Sequence, residues 1–228
     1  MKKYGIGARL LACASLVREG AVLADVGTDH AYLPLWLFSE GKISRAVLSD
    51  INEGPLLSAR ANVEREGRLD KVEFRLCDGA AALADLGATD YTVCGMGGEL
   101  IADIIEKAPH LKNKDISLVL QPMSKKNILR SFLFDNGFDI VREVYSTEDG
   151  KHYVTLLARY VGERVEYSAA DAELGKRGAS ERSAAKDDYM RAFSLVLTKI
   201  ARGKEKGGED ASYERMILSE IESRFDIK

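Results

Sequence analysis

Acidic residues and glycines follow several short apolar runs, where they could hold a ligand. The first such run ends in the loop DVGTDH (25–30). This loop has the acid-x-Gly spacing of a nucleotide-binding loop but keeps only its first glycine, Gly27, which lets the backbone turn tightly. Carboxylates in this position attract a sulfonium or ammonium group and repel a pyrophosphate, so the loop favours a cationic ligand. The alternative is an ordinary strand–helix turn in which an Asp caps the helix.

The next two apolar runs also end beside an acid. Asp50 lies near the end of the run 45–51, where a carboxylate can accept both hydroxyls of a ribose or cap the following helix. Asp78 and Gly79 close the run 71–79. The carboxylate and the backbone amide could read an adenine edge, although a simple turn is the alternative.

The fourth run ends in the glycine-rich segment CGMGG (94–98). So much glycine at a strand end favours a place where substrate and cofactor both lie against the backbone, with a tight strand–helix connection as the alternative. After the fifth run, Gln121 could donate to or accept from a base edge. Lys125 and Lys126 could contact phosphate, or they could form a solvated helix start.

No residues in this chain have the spacing of a metal site or of a serine hydrolase. His30, His110 and His152 are the only histidines, and none has a partner at metal-ligand spacing. No serine lies in a G-x-S-x-G motif. We therefore predict no metal site, and His30 is expected to make either a polar ligand contact or a structural hydrogen bond.

The spacing of apolar residues predicts the elements that must position these groups. Predicted strands are 21–27, 45–51, 71–79, 89–98, 116–122 and a hairpin within 138–160, and predicted helices are 5–18, 31–40, 55–67, 99–108 and 125–137. This alternation is typical of a doubly wound parallel α/β sheet, in which ligands bind at the carboxyl ends of the strands. Residues 1–160 are predicted to form that domain.

Residues 161–228 differ in composition and predict a helical hairpin. The predicted inner faces are Tyr189, Phe193, Val196, Leu197 and Ile200 on one helix and Tyr213, Met216, Ile217 and Ile221 on the other, with GKEKGGED (203–210) as the turn. Acidic and basic residues nearly balance, but a basic cluster lies near the turn: Lys199, Arg202, Lys204 and Lys206. This cluster could contact phosphates or lie in solvent at a helix end.

Composition limits the protein class. The chain has 228 residues, of which 46% are hydrophobic and 30% charged, which excludes a disordered chain or a collagen-like fibre. The net charge is −3, so any nucleic-acid contact must depend on a local patch. Three cysteines without CxxC spacing predict a reducing, cytoplasmic location. Arginines interrupt the signal-like start, and no apolar run is long enough to span a membrane.

Taken together, the strand ends match the layout of class I S-adenosylmethionine-dependent methyltransferases. The chain also resembles, more specifically, the bacterial tRNA (adenine-22-N1)-methyltransferase family, often called TrmK. The segments that carry this resemblance are DVGTDHAYLPLWL (25–37), SDIN (49–52), CDGAAAL (77–83), CGMGGELI (94–101) and LVLQP (118–122), together with 9–17 and 129–160. The TDHAYLP and GMGG runs are the most specific of them, and Cys94 departs from the small aliphatic residue expected there.

The resemblance implies a Rossmann-like methyltransferase domain over 1–160, a coiled-coil-like hairpin over 161–228, S-adenosyl-L-methionine as cofactor and tRNA as partner. It implies a cofactor site made of Asp25, Gly27, Thr28, Asp29, His30, Asp50, Ile51, Asn52, Asp78, Gly79, Gly95 and Met96. Gly95, Met96 and Gly97, with Gly98, would line the place where the target base meets the methyl group.

The implied reaction is methyl transfer to N1 of an adenine. This nitrogen carries an in-plane lone pair, so positioning and electrostatics would supply most of the catalysis. Asp29 is the candidate to stabilise the cationic product or to hold the cofactor's amino group. Tyr32 could stack on an extruded base, although a core position is expected for it.

Other functions remain open at this point. One is a methyltransferase for a small molecule or a protein, and another is a non-catalytic cofactor-binding module that acts through the hairpin. A nicotinamide-dependent oxidoreductase is disfavoured by the acidic loop. The sequence leaves monomer and homodimer both open.

Overall fold

A seven-stranded sheet forms the centre of the protein in a computed structural model, which describes residues 5–227. Its strands are β1 (Ala21–Val26), β2 (Ile43–Asp50), β3 (Val72–Leu76), β4 (Asp90–Gly97), β5 (Ser117–Ser124), β6 (Phe138–Glu148) and β7 (Lys151–Tyr160). Their order across the sheet is β3-β2-β1-β4-β5-β7-β6. The first five strands are parallel, and β7 is antiparallel to both β5 and β6. The predicted doubly wound α/β architecture and the terminal hairpin are therefore confirmed.

Helices cover both faces of this sheet. They are α1 (Ala8–Leu16), α2 (Tyr32–Ser39), α3 (Glu53–Arg65), α4 (Gly98–Glu106), α5 (Lys126–Asp135), α6 (Ala169–Leu174), α7 (Ala184–Lys206) and α8 (Ser212–Phe225). One apolar cluster joins α1, α2 and α3 to the sheet, and a second joins α4 and α5 to it. Burial on both faces explains why the central strands are almost continuously apolar. Within residues 5–227, no helix combines the length and apolar character needed to cross a bilayer.

The order of the strands creates a crevice at one edge of the sheet. Strand β1 pairs with β2 on one side and with β4 on the other. The chain runs from β1 to β2 on one side and from β4 to β5 on the other, so the connections at the carboxyl ends of β1 and β4 diverge. The loops after β1, β2 and β4, which carry most of the predicted site, meet at this crevice.

The C-terminal helices pack against the sheet and against each other. Helix α7 contacts β6 and β7, and α8 lies along α7. Tyr189 and Leu197 of α7 and Ile217 of α8 belong to the same apolar cluster as the sheet residues. The short helix α6 was not predicted. The division into domains 1–160 and 161–228 stays a prediction, and residues 1–4 and 228 lie outside the described residues.

The predicted position of the hairpin turn, residues 203–210, is wrong at its start. Helix α7 continues to Lys206, so Gly203 lies inside the helix and the turn begins at Gly207. A glycine inside a helix costs about 1 kcal/mol relative to alanine. Two ion pairs between the helices lie beyond Gly203: Lys204 with Glu214 and Arg215 with Glu205, each at 2.8 Å.

The predicted inner face of the hairpin is also partly exposed. Val196 and Ile200 of α7 are exposed, whereas Met190 and Ala201 are fully buried. On α8, Tyr213 and Met216 are likewise exposed. Helix α7 packs against the sheet as well as against α8. Its buried residues therefore lie on a different face of the helix from the one that would contact α8 in an isolated two-helix hairpin.

Candidate active site

The predicted site residues meet in a cleft at the carboxyl ends of β1, β2 and β4. The main cavity has a volume of about 380 Å³ and is lined by Arg9, Leu10, Asp25, Gly27, Thr28, Asp29, His30, Tyr32, Leu33, Asp50, Cys94, Gly95 and Met96. A smaller cavity of about 150 Å³ is lined by Val26, Gly27, Asp50, Ile51, Cys77, Asp78, Gly79, Met96, Leu100 and Ile104. Of the residues that the resemblance implies, Asn52, Gly97 and Gly98 line neither cavity.

Gly27 lies where the two cavities join, together with Asp50 and Met96. Its φ of +75° is in the left-handed region, and a Cβ atom built there would collide with the methyl group of Met96. Its amide donates to the carbonyl of Ser49 at 2.8 Å, which holds the loop against β2. Glycine adopts this φ without strain, so the backbone can turn here and lie directly against a ligand.

Asp25 and Thr28 place polar atoms at the buried wall of the main cavity. The Asp25 carboxylate accepts a hydrogen bond from the Thr92 hydroxyl at 2.5 Å. Burial raises the pKa of Asp25, a shift that the bond from Thr92 opposes. The hydroxyl of Thr28 is buried beside this carboxylate, and its interaction with Asp25 also lowers the pKa of that carboxyl. A hydroxyl in a cavity wall can both donate to and accept from a polar ligand.

Asp29 does not cap helix α2, so the alternative of a simple capped turn is wrong. The N-cap of α2 is Ala31, and no side chain caps the helix. Asp29 and Ala31 both have left-handed φ values, of 50° and 59°. The Asp29 carboxylate is 71% exposed and lies 3.5 Å from Nε2 of His30. The strained backbone therefore presents this carboxylate to the cleft.

Tyr32 is not a core residue, contrary to the sequence-based expectation. It is 45% exposed and lines the main cavity. Its ring stacks on His30 with the ring centroids 5.2 Å apart and an angle of 29° between the planes. The two rings present a flat aromatic surface at the mouth of the cleft.

Asp50 is likewise not the N-cap of the helix that follows it. The N-cap of α3 is Asn52, and its backbone amide donates to Oδ1 of Asp50 at 2.9 Å. This bond orients the Asp50 carboxylate, which lines both cavities. Asp78 and Gly79, at the end of β3, contribute to the smaller cavity with the apolar side chains of Ile51 and Leu100.

The glycine-rich segment after β4 is held by the neighbouring strand. Gly95 donates its amide to Oε1 of Gln121 at 3.1 Å and has a φ of +81°. A Cβ atom on Gly98 would collide with the carbonyl oxygen of Lys125. Gln121 is fully buried and also donates to the carbonyl of Pro122. The prediction that Gln121 reaches a base edge is wrong, because its amide positions the segment instead.

Arg9 is a site residue that the sequence analysis missed. Its Nη1 donates to Oε1 of Gln121 at 2.8 Å, and its backbone amide donates to Glu148 at 2.8 Å. It is the one Lys or Arg among the described residues that line the main cavity. Arg9 lies in the predicted helix 5–18, and no local signal shows that α1 reaches the end of β5.

Two cysteines that are far apart in the sequence also meet here. The sulfurs of Cys13 and Cys94 are 3.5 Å apart, and both cysteines are free thiols. Cys94 lines the main cavity beside Gly95. Within the described part of the chain, His, Cys, Asp and Glu side chains form no group of three that could hold a metal ion.

The match to known protein families agrees with this geometry. The family described as "Methyltransferase domain" matches residues 6–156, which include every strand end described above. A Bacillus subtilis (strain 168) protein named tRNA (adenine(22)-N(1))-methyltransferase is 36% identical over 158 residues. That match covers 69% of this chain and 66% of the relative, so the matched part spans just under two thirds of the relative's length.

Solved structures extend the similarity to the C-terminal helices. Sp1610 of Streptococcus pneumoniae, in complex with S-adenosyl-L-methionine, has a TM-score of 0.80 and 33% identity over 93% of this chain and 99% of that chain. The B. subtilis M1A22 tRNA methyltransferase TrmK has a TM-score of 0.78 and 29% identity over 98% of this chain and 97% of that chain. The similarity therefore includes both the sheet and the hairpin.

Proposed function

This chain belongs to the bacterial tRNA (adenine-22-N1)-methyltransferase family, and we propose that it transfers a methyl group from S-adenosyl-L-methionine to N1 of adenine 22 in tRNA. The observation that carries the proposal is the divided cleft at Gly27, where three carboxylates line the larger cavity. These are Asp25, Asp29 and Asp50. An acid-rich cavity that continues into a smaller, more apolar one matches a ligand with a cationic centre and an aromatic base.

The side chains present fit such a cofactor. S-adenosylmethionine supplies a methyl group on a positively charged sulfur, which a nucleophile can accept directly. Asp50 would hold the ribose hydroxyls at the end of β2. The smaller cavity, between Asp78 and the apolar side chains of Ile51 and Leu100, would hold the adenine ring.

The polar wall of the main cavity would hold the amino-acid part of the cofactor. The hydroxyl of Thr28 and the guanidinium of Arg9, which both line the main cavity, offer donors to a carboxylate. Asp25, at the buried wall, offers an acceptor to an ammonium group. Met96 lines both cavities and lies against Gly27, so its flexible side chain would turn aside when one ligand occupies both.

The target adenine would enter from the exposed side of the cleft. The stacked rings of Tyr32 and His30 would support an extruded base from one face. The glycine backbone at Gly95 would let the base approach the main cavity closely. Because N1 of adenine carries no proton, the chain needs no general base, and its contribution is alignment. The exposed carboxylate of Asp29 would stabilise the positive charge that the adenine gains.

The proposed substrate and the free cysteines both bear on the cellular location of the protein. We infer that the protein acts in the cytoplasm, because tRNA is found there and all three cysteines are free thiols.

A direct test uses an unmodified tRNA transcript and a transcript with guanine in place of adenine 22. We expect the protein to methylate the first with labelled S-adenosylmethionine, to place N1-methyladenosine at position 22, and to leave the second unmodified. Methylation of both transcripts, or of neither despite cofactor binding, would contradict the proposal.

Asp29→Asn separates the two roles of Asp29. If the carboxylate stabilises the charged product, kcat falls by about tenfold or more while the cofactor Kd stays the same. If it holds the cofactor's amino group, the cofactor Kd rises instead. Asp103→Asn is the matched control, because Asp103 is an exposed α4 residue paired with Lys107 and lines neither cavity. An unchanged kcat and Kd in Asp29→Asn would remove Asp29 from the site.

A further inference from the structure

A separate cavity of about 310 Å³ lies at the base of the C-terminal hairpin. It is enclosed by the loop between α6 and α7, the first turn of α7 and the end of α8. Five basic side chains line it: Lys176, Arg177, Arg182, Lys186 and Arg224. No acidic residue of the described chain lines it, although the protein as a whole is acidic.

Carboxylates from surrounding elements hold the cations of this cavity in place. Asp139 of β6 binds Lys176 at 2.9 Å, and Asp171 of α6 binds Arg224 at 2.8 Å. These acids do not line the cavity themselves. The positive side chains are therefore fixed in position, with donors left over for a ligand.

Three of the cations are more available to a ligand. Lys186 donates to the Ser180 hydroxyl at 2.6 Å and forms no ion pair with any described residue. Arg177 and Arg182 stand at the cavity with 62% and 67% of their side chains exposed, and Arg182 is paired with Asp187 at 3.3 Å. Arg177 has its acidic partner Glu220 only at 3.6 Å, beyond hydrogen-bond distance.

Aromatic side chains connect this cavity to the carboxyl edge of the sheet. The ammonium of Lys186 lies 5.7 Å from the ring of Tyr145, and that ring is 5.1 Å from the ring of Tyr189. The ammonium of Lys126, just beyond the end of β5, lies 5.4 Å from the same Tyr189 ring. A chain of three ring contacts thus separates the basic cavity from the edge at which the cleft opens.

We propose that this cavity binds a phosphodiester group of the substrate RNA while the target adenine lies in the cleft. The inference rests on the proposed function. Arginine and lysine donors that converge on one cavity suit the several oxygens of a phosphate. The basic cluster near the hairpin turn is a weaker candidate, because its side chains line none of the cavities described above.

The test compares two variants that each remove two positive charges from exposed side chains. Arg177→Gln/Arg182→Gln alters the cavity, and Lys199→Gln/Arg202→Gln alters exposed residues farther along α7. The Kd for unmodified tRNA is measured for both and for the wild type between 50 and 200 mM salt. Loss of this single phosphate contact lowers the slope of log Kd against log salt by about 0.9, so over this fourfold range of salt the Kd of the cavity variant should rise about three- to fourfold less than the wild-type Kd.

The control variant should keep the wild-type slope, and both variants should keep the wild-type cofactor Kd and melting temperature. Equal loss of slope in the two variants would mean that net charge alone matters and would overturn the proposal. An unchanged slope in the cavity variant would overturn it as well. Lys186→Gln, which alters the inner cation, should also lower the slope.

A further arm distinguishes an RNA phosphate from a free anion. Inorganic phosphate, added at constant ionic strength, should compete with tRNA for the wild type and not for the cavity variant. If calorimetry detects phosphate in the cavity while the tRNA Kd is the same in both proteins, the cavity serves a free anion and the proposal fails. A wild type that binds cofactor but methylates no tRNA would refute the proposed function instead.

Discussion

Arg130 and Glu143 form a buried ion pair that joins helix α5 to strand β6. The Nε and Oε1 atoms are 2.8 Å apart, and the two side chains are at most 1% exposed. Nη1 of Arg130 also donates to the carbonyls of Ala172 and Glu173 at the end of α6, at 3.1 and 2.9 Å. Burial and the nearby carboxylate raise the pKa of Tyr145 well above its usual range, so its hydroxyl stays protonated and donates to Glu143.

We expect Arg130→Met to lower the free energy of unfolding by about 3–5 kcal/mol, because it leaves the Glu143 carboxylate buried without a cation. It also leaves two helix carbonyls without a donor, at about 1 kcal/mol each. The double variant Arg130→Met/Glu143→Gln removes the unpaired buried charge, but the two helix carbonyls still lack a donor. The double variant should therefore recover about 2 kcal/mol of the single variant's loss.

The assay is urea unfolding at pH 7.5, followed by circular dichroism and by the fluorescence of the single tryptophan, Trp36. Arg142→Met is the matched control, since Arg142 is exposed on the same strand, and it should change stability by less than about 0.5 kcal/mol. The reasoning would be refuted if Arg130→Met lost less than about 1 kcal/mol. It would also be refuted if the double variant were less stable than the single one.

The remaining predictions concern the cleft. Gly27→Ala should weaken cofactor binding in calorimetry by about tenfold, because a side chain at its φ of +75° costs about 1–2 kcal/mol. Gly54→Ala, which has open space around it, should bind normally. Asp50→Asn should weaken cofactor binding by about ten- to a hundredfold. A cofactor Kd equal to the wild-type value would remove Asp50 from the site. Tyr32→Ala should raise KM for tRNA at unchanged cofactor Kd, and Tyr32→Phe should restore it; a wild-type KM in both would exclude stacking. Burial raises the pKa of Asp25 above 3.8, so its ionisation destabilises the fold as pH rises through the raised pKa. Asp25→Asn should therefore gain stability relative to the wild type between pH 4 and pH 7.5 in urea unfolding, and a pH-independent difference would contradict this.

Most of the strand-end residues could be predicted because each lies next to the strand that positions it. Gly27 follows β1 directly, Asp50 is the last residue of β2 and Gly79 lies three residues beyond β3. Parallel strands bring their carboxyl ends to one edge. The alternatives left open for Asp29 and Asp50, helix caps, were removed only by the structure, since Ala31 and Asn52 hold the cap positions. A helix boundary that moves by one or two residues changes which side chain caps it.

The sequence by itself determined the alternation of strands and helices, the acidic loop and the glycine-rich turn, because these depend on residues within a few positions of one another. The tertiary structure alone decided the other features of the site. Arg9 meets Gln121 across 112 positions of the chain, and Arg130 reaches the end of α6 across 42. Such contacts form only when separate elements pack together, and no local periodicity records which elements will be neighbours. The basic cavity at the hairpin base has the same origin, since its cations come from α7, α8 and the loop between α6 and α7.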